Sequence, residues 1–189
     1  MKKTIENPII YADPQKCLGC KNCELACATV HAGCDLQSAV AQGLQLRPRN
    51  KVIQAGDTIV PMQCRQCEDA PCAHACPTGA ILQDGSHVKI EEGSCVGCKL
   101  CVMVCPFGAI TVKTDESGET DGRTNRGVAK KCDLCIGTAM QSEGGSCACV
   151  EACPTGAIML VDIDEYRRKL HAARARELAQ TQKHISFER

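Results

Sequence analysis

The chain has 189 residues, a formal net charge of zero and 18 cysteines, with no Trp, two Phe and two Tyr. The 44% counted as hydrophobic includes those cysteines, so the apolar share proper is nearer roughly 34%. A neutral chain without aromatic platforms does not have nucleic-acid binding as its main task, and so thin a core leaves cohesion to disulfides or bound metal.

The N-terminus, MKKTIENPIIYADPQKC, follows two lysines with a polar break and a proline instead of an apolar run, and has no twin-arginine signal. No stretch approaches the ~20 apolar residues of a membrane span. The expected setting is therefore soluble and cytoplasmic, where thiols stay reduced and bind metal. IIYA, up to Ala12, predicts a first strand, and the first cysteine quartet follows as CLGCKNCELAC: Cys17, Cys20, Cys23 and Cys27, with gaps of two, two and three. The second quartet, CRQCEDAPCAHACP, is Cys64, Cys67, Cys72 and Cys76, its middle gap widened to four. AIL and HVKI then predict a hairpin closed around Asp84 and Gly85.

The third quartet, CVGCKLCVMVCP, is Cys95, Cys98, Cys101 and Cys105, followed by a strand AITV, a polar loop KTDESGETDGRTNRG and a strand GVAK. The fourth opens at Cys132 and Cys135, and its three-residue final gap selects Cys149 with Cys153. Cys147 is left over, and the segment from Ile136 to Ala148 becomes a loop between ligands. AIMLV predicts the last strand. The hexapeptide CPTGAI occurs twice, from Cys76 and from Cys153. The cysteine-free tail predicts a helix capped by Asp162 or Asp164, with an apolar stripe of Tyr166, Leu170, Ala173 and Leu178 and a basic middle of Arg167, Arg168, Lys169, Arg174 and Arg176. It reads either as a surface helix on its own subunit or as an arm docking a partner or another copy.

A C-x2-C-x2-C-x3-C-P run suits a cubane cluster: three close thiolates hold three irons, and the fourth ligates the neighbouring cubane. The proline then discourages further helix, and the glycine of TGAI or FGAI allows a turn into a strand. A lone Cys-x2-Cys pair also fits zinc, but zinc sites use two widely separated pairs, often with His. Cys34 and Cys147 read as small apolar fillers. Lys21 and Lys99 would favour a reduced cluster nearby or simply be solvated, and His74 either bonds a sulfur or lies at the surface. No nucleotide loop, catalytic triad or paired carboxylates stand out, so the chain is not an enzyme on its own.

On the stretches DPQKCLGCKNCELACATVH, QCEDAPCAHACPTGAI, CVGCKLCVMVCPFGAI and KKCDLC, the chain resembles the four-cluster ferredoxin-like electron-transfer subunits of the dimethyl-sulfoxide-reductase type. Within that group it is most similar to the polyferredoxin subunits of formate hydrogenlyase, hydrogen-dependent carbon dioxide reductase and carbon monoxide dehydrogenase systems. The resemblance implies an α+β fold of two ferredoxin-like units, one inserted in the other. The outer unit would take residues 1–63 and 128–161, the inserted unit 64–127, and a C-terminal helical arm 162–189. It implies four [4Fe-4S] clusters: Cys17, Cys20, Cys23 with Cys153; Cys132, Cys135, Cys149 with Cys27; Cys64, Cys67, Cys72 with Cys105; and Cys95, Cys98, Cys101 with Cys76. It further implies a relay between a formate dehydrogenase and a hydrogenase, with a carbon monoxide dehydrogenase partner or a free carrier as alternatives. In this chain Ala28, not proline, follows Cys27, and the gap from Cys135 to Cys149 is long; neither departure removes a ligand.

Overall fold

Proline after the last cysteine of the second, third and fourth quartets ends a helical turn. Two residues on, Gly79, Gly108 or Gly156 takes a left-handed backbone, at φ 63°, 57° or 62°, which sends the chain back as a strand. In the computed structural model, which describes residues 5–113, 127–142 and 146–182, the outcome among those residues is four two-stranded antiparallel sheets. Most of the expected polar loop lies outside the described residues, as does the end of the tail.

In chain order, β1 (Pro8–Ala12) precedes the first quartet, whose last two cysteines lie on α1 (Asn22–Ala32); α2 (Leu36–Ala41) and a hairpin of β2 (Lys51–Ala55) and β3 (Thr58–Met62) follow. The second quartet contributes the single turn α3 (Pro71–His74), and β4 (Ile81–Asp84) with β5 (His87–Ile90) forms the expected hairpin, closed by Asp84 opposite His87. The third carries α4 (Leu100–Val104) and runs into β6 (Thr111–Lys113). After β7 (Val128–Lys130) the fourth quartet holds two short helices, α5 (Ala139–Ser142) and α6 (Ala148–Glu151), before β8 (Ile158–Asp162) and the long α7 (Ile163–Gln182). The result is a small α+β fold.

Pairing joins distant parts of the chain. β1 runs against β8 with Ile10 opposite Leu160, and β6 against β7 with Val112 opposite Ala129. α1 packs on α6 and α3 on α4, so the first quartet's helix meets the fourth's and the second's meets the third's. Two cores follow. One sets Ile10, Leu134, Ala148 and Ile158 among cysteines of the first and fourth quartets, and the other sets Ala80, Ile81, Val88 and Ile110 among those of the second and third. Cys64 packs in the first core although its quartet belongs to the second.

Of the two aspartates expected to cap the tail helix, Asp162 does so: its Oδ1 accepts from the backbone N–H groups of Asp164 (3.0 Å) and Glu165 (3.1 Å). Tyr166 meets Tyr11 of β1, ring centroids 5.5 Å apart. From Tyr166 to Thr181 every residue of α7 is exposed, with Leu170 at 42% and Leu178 at 59%.

Candidate metal centre

Each quartet opens on a left-handed turn. The residue before the second cysteine is left-handed in all four: Gly19 at φ 68°, Gln66 at 51°, Gly97 at 67° and Leu134 at 60°. A side chain there costs roughly 1–2 kcal/mol, so glycine is the default. At Gly97 it is also a steric need, because a Cβ would collide with the carbonyl of Gly127. Gln66 and Leu134 carry the strain because their side chains are used. Leu134 is buried in the first core; Gln66 donates to the Cys132 carbonyl (2.9 Å) and accepts from the Val88 N–H (2.9 Å). Lys21 and Lys99, at φ 61° and 67°, are the left-handed N-caps of α1 and α4; their side chains are exposed.

The thiols gather across quartets. Cys64, Cys67, Cys72 and Cys105 line one cavity walled by Ala70, Pro71, Val88, Pro106, Phe107 and Ile110. Cys101 feels the charge of Cys95, Cys98 and Cys76, and Cys149 that of Cys132, Cys27 and Cys135. Cys23 feels Cys20, and Cys23 and Cys153 belong to one core; Cys17 is half-buried. Cys20 and Cys98 are exposed. Among the described residues no three His, Cys, Asp or Glu side chains converge on a single ion, whereas a cubane takes its thiolates from around its faces.

Backbone and hydroxyl groups point at several sulfurs, as cluster ligation favours. The N–H groups of Arg49, Ala129 and Ala109 donate to Cys27 Sγ (3.3 Å), Cys95 Sγ (3.5 Å) and Cys105 Sγ (3.5 Å). Thr78 Oγ1 lies 3.7 Å from Cys76 Sγ, and Thr155 Oγ1 the same distance from Cys153 Sγ. The Thr155 hydroxyl also donates to the Lys16 carbonyl (2.8 Å), tying the fourth quartet to the first. Thus the repeated CPTGAI places a hydroxyl beside its cysteine, a position Phe107 fills in the third quartet.

Burial dominates the thiol equilibria. It pushes Cys132 up to about 12, and Cys23 and Cys72 up to about 11, while Cys149 rises for the same reason, aided by the neighbouring thiols. At Cys76 burial is outweighed by the Thr78 hydroxyl and the Ile81 N–H, and the thiol falls below its ordinary value. Cys147, buried at the N-cap of α6, hydrogen-bonds Cys135, lowering that thiol and raising its own; its Sγ also lies 3.5 Å from the Leu134 carbonyl. Cys34 stands apart from both cores, just beyond α1. His74 turns to Asp69 at the surface (2.5 Å).

Residues the cysteine spacing does not reveal complete the site. His31, on α1, bonds the Cys27 carbonyl through Nδ1 (2.7 Å) and Asp133 Oδ1 through Nε2 (2.9 Å). Two acceptors require two N–H groups, so the ring is an imidazolium. Burial works against that charge, but Asp133 and then Cys27 hold its pKa at about 10. Asp133 also takes the Arg49 guanidinium and the Cys135 N–H; burial would raise its carboxyl, yet His31 and Arg49 keep it low. This network sits between Cys27 and Cys135. The sequence signal was the His four residues after Cys27, on the same helix face.

The four-thiol cavity, the sulfur-directed donors and the thiol-rich cores fit a cubane. The family model of the 4Fe-4S dicluster domain matches residues 56–163, more than half of the chain. The chain belongs to the 4Fe-4S dicluster family. An iron-sulfur protein of Rhodospirillum rubrum is 57% identical over 181 residues, covering 95% of both chains. Electron transport protein HydN of Escherichia coli K12 is 39% identical, covering 93% of this chain and 97% of its own. Hydrogenase-4 component A of the same strain is 35% identical, covering 87% of each. The dicluster model begins after the first quartet, which the matches to the iron-sulfur protein and to HydN, covering 95% and 93% of this chain, are long enough to include. Among the described residues no helix is long and apolar enough to cross a membrane.

Proposed function

We propose that this chain is a non-catalytic relay of four [4Fe-4S] clusters that passes electrons between a formate dehydrogenase and a hydrogenase in a cytoplasmic multi-subunit complex of the dimethyl-sulfoxide-reductase type. The observation that carries the relay is the apolar cavity lined by Cys64, Cys67, Cys72 and Cys105, four thiols from two quartets. Cys132, Cys135, Cys149 and Cys27 would hold a second cluster, Cys95, Cys98, Cys101 and Cys76 a third, and Cys17, Cys20, Cys23 and Cys153 a fourth. When bound, such a cluster supplies a one-electron carrier with no iron left open to a substrate.

The protein's own part is to fix and shield. The left-handed turns fix the backbone between the first two thiols of each quartet, the proline and aliphatic walls exclude water, and the N–H groups donating to Cys27, Cys95 and Cys105 stabilise charged sulfur. Contact of α1 with α6 and of α3 with α4 supports one ferredoxin-like unit inserted in another. The exposed Cys20 and Cys98, flanked by exposed Leu18 and by Val96 and Met103, suit the ports where electrons arrive and leave. The hydrogenase side rests on the likeness to hydrogenase-4 component A, and the exposed α7 supports docking of a partner or a further copy.

Anaerobic purification from the native cell tests the assignment. Expected are a brown complex with about sixteen irons per chain, co-eluting dehydrogenase and hydrogenase subunits, and dye reduction driven by formate and by hydrogen. Reduction by carbon monoxide alone, or elution as a free chain, overturns the partner assignment. Zinc in place of iron overturns the relay.

A further inference from the structure

The two cysteine cores meet at Cys64 and Cys132, and a charged side chain is buried there. Lys131, 3% exposed, donates to the carbonyl of Val88 and to that of Cys132, the latter at 3.1 Å. Val88 belongs to one core and Cys132 to the other. Gln66 spans the same gap, bonded to the same two residues. Three acidic side chains line the cavity beside Lys131: Asp133 is engaged by His31 and Arg49, Glu92 by Lys130, and Asp84 lies exposed at the end of β4. Among the described residues, the hydrogen bonds of Lys131 go to carbonyl dipoles and to no carboxylate.

Lysine is almost never this buried unless paired, and a buried charge without a counter-charge is costly. A cubane held by four thiolates carries net negative charge that grows by one unit on reduction, and a nearby cation stabilises the reduced form. We propose that Lys131 is the fixed counter-charge of the two clusters facing this junction, the one held by Cys64, Cys67, Cys72 and Cys105 and the one held by Cys132, Cys135, Cys149 and Cys27. It raises their affinity for an electron above what the same thiolates would give. Each cluster takes a single electron from the redox partner, and no bond changes at the lysine. The inference rests on the four-cluster reading, which iron and sulfide analysis of the unmodified protein tests separately.

The test is a redox titration of the anaerobically purified full-length holoprotein at one pH, followed cluster by cluster by electron paramagnetic resonance, for the unmodified chain, Lys131→Met, Lys131→Gln and Lys131→Arg. Both neutral variants are expected to keep full iron. In each, one or two clusters should become about tenfold harder to reduce at a given potential, a shift of about 59 mV for one electron. The other clusters should stay put, and Lys131→Arg should titrate like the unmodified chain. Unshifted potentials in a fully loaded neutral variant overturn the proposal, as does an equal shift of all clusters. Loss of iron from both neutral variants also overturns it, by making the lysine a structural brace.

Discussion

Gln66→Gly puts the preference of the backbone against the use of the side chain. Glycine already occupies the equivalent position in the first and third quartets, as Gly19 and Gly97, and at φ 51° it would relieve roughly 1–2 kcal/mol of left-handed strain. Part of that gain, roughly 0.5–1 kcal/mol, is returned through the greater freedom of glycine in the unfolded chain. Against it stands the N–H of Val88, a residue 2% exposed, whose acceptor is Gln66 Oε1; an orphaned buried donor costs about 1–3 kcal/mol. The Cys132 carbonyl loses one bond but keeps Lys131, a further cost of about 1 kcal/mol.

The side chain wins, and Gln66→Gly should destabilise the native state by about 1–3 kcal/mol, a factor of about 5–150. Clusters do not rebind reversibly in denaturant, so the readout is the rate of loss of visible cluster absorbance in guanidinium under anaerobic conditions. That rate should rise by about that factor, to the extent that the bond is broken on the way to unfolding. Faster amide exchange at Val88 should accompany it. If Gln66→Gly keeps its clusters as long as the unmodified protein, the bridge contributes nothing and the strain argument fails.

Cys149→Ala should cost one cluster, read as a fall of about a quarter in bound iron, whereas Cys147→Ala should keep all four and alter only the spectrum of the cluster beside Cys135. His31 has a folded pKa of about 10 against roughly 6.5 unfolded, so its stabilisation is full below the lower value and is lost as pH rises through the higher. Cluster retention in guanidinium should therefore weaken between pH 7 and pH 10, and His31→Gln should flatten that profile. Removing residues 165–189 should leave the cluster spectra unchanged and lower the assembly size measured by light scattering; an unchanged size removes the docking role of α7.

The parts of the fold written as local chemistry were readable. The β4–β5 hairpin follows from Asp84 and Gly85, the strands after each Gly-Ala-Ile follow from the glycine, and the tail helix starts at an aspartate. The β2–β3 hairpin carries the same kind of signal, Gly56 at φ 57° leading a turn between β-branched runs, and Asp35 caps α2 through Ser38. Both fall outside the cysteine repeat, and a reading organised by that repeat passes over them. At the site, cysteine types and spacings show in the sequence because ligation demands them. The cations do not: Arg49 reaches Asp133 across 84 positions and Lys131 reaches Val88 across 43, contacts made by the pairing of cores and by no local pattern.

A formal charge of zero conceals how the site must be balanced. Burial holds Cys132 near 12 and Cys23 and Cys72 near 11, so these thiols keep their protons until iron replaces them, and loading must release protons as it orders the chain. Iron does not cancel the thiolate charge completely, because a cubane remains about two units negative when oxidised. Where that charge is shut away from water, the protein supplies cations: His31 and Arg49 beside Cys27, and Lys131 beside Cys132. Where the proposed ligands are open, as at Cys20 and Cys98, water supplies the screening. Clusters stabilised by fixed cations inside and by solvent outside need not share one potential even with identical ligands. The interior pair is then expected to collect electrons, and the exposed pair to exchange them with partners.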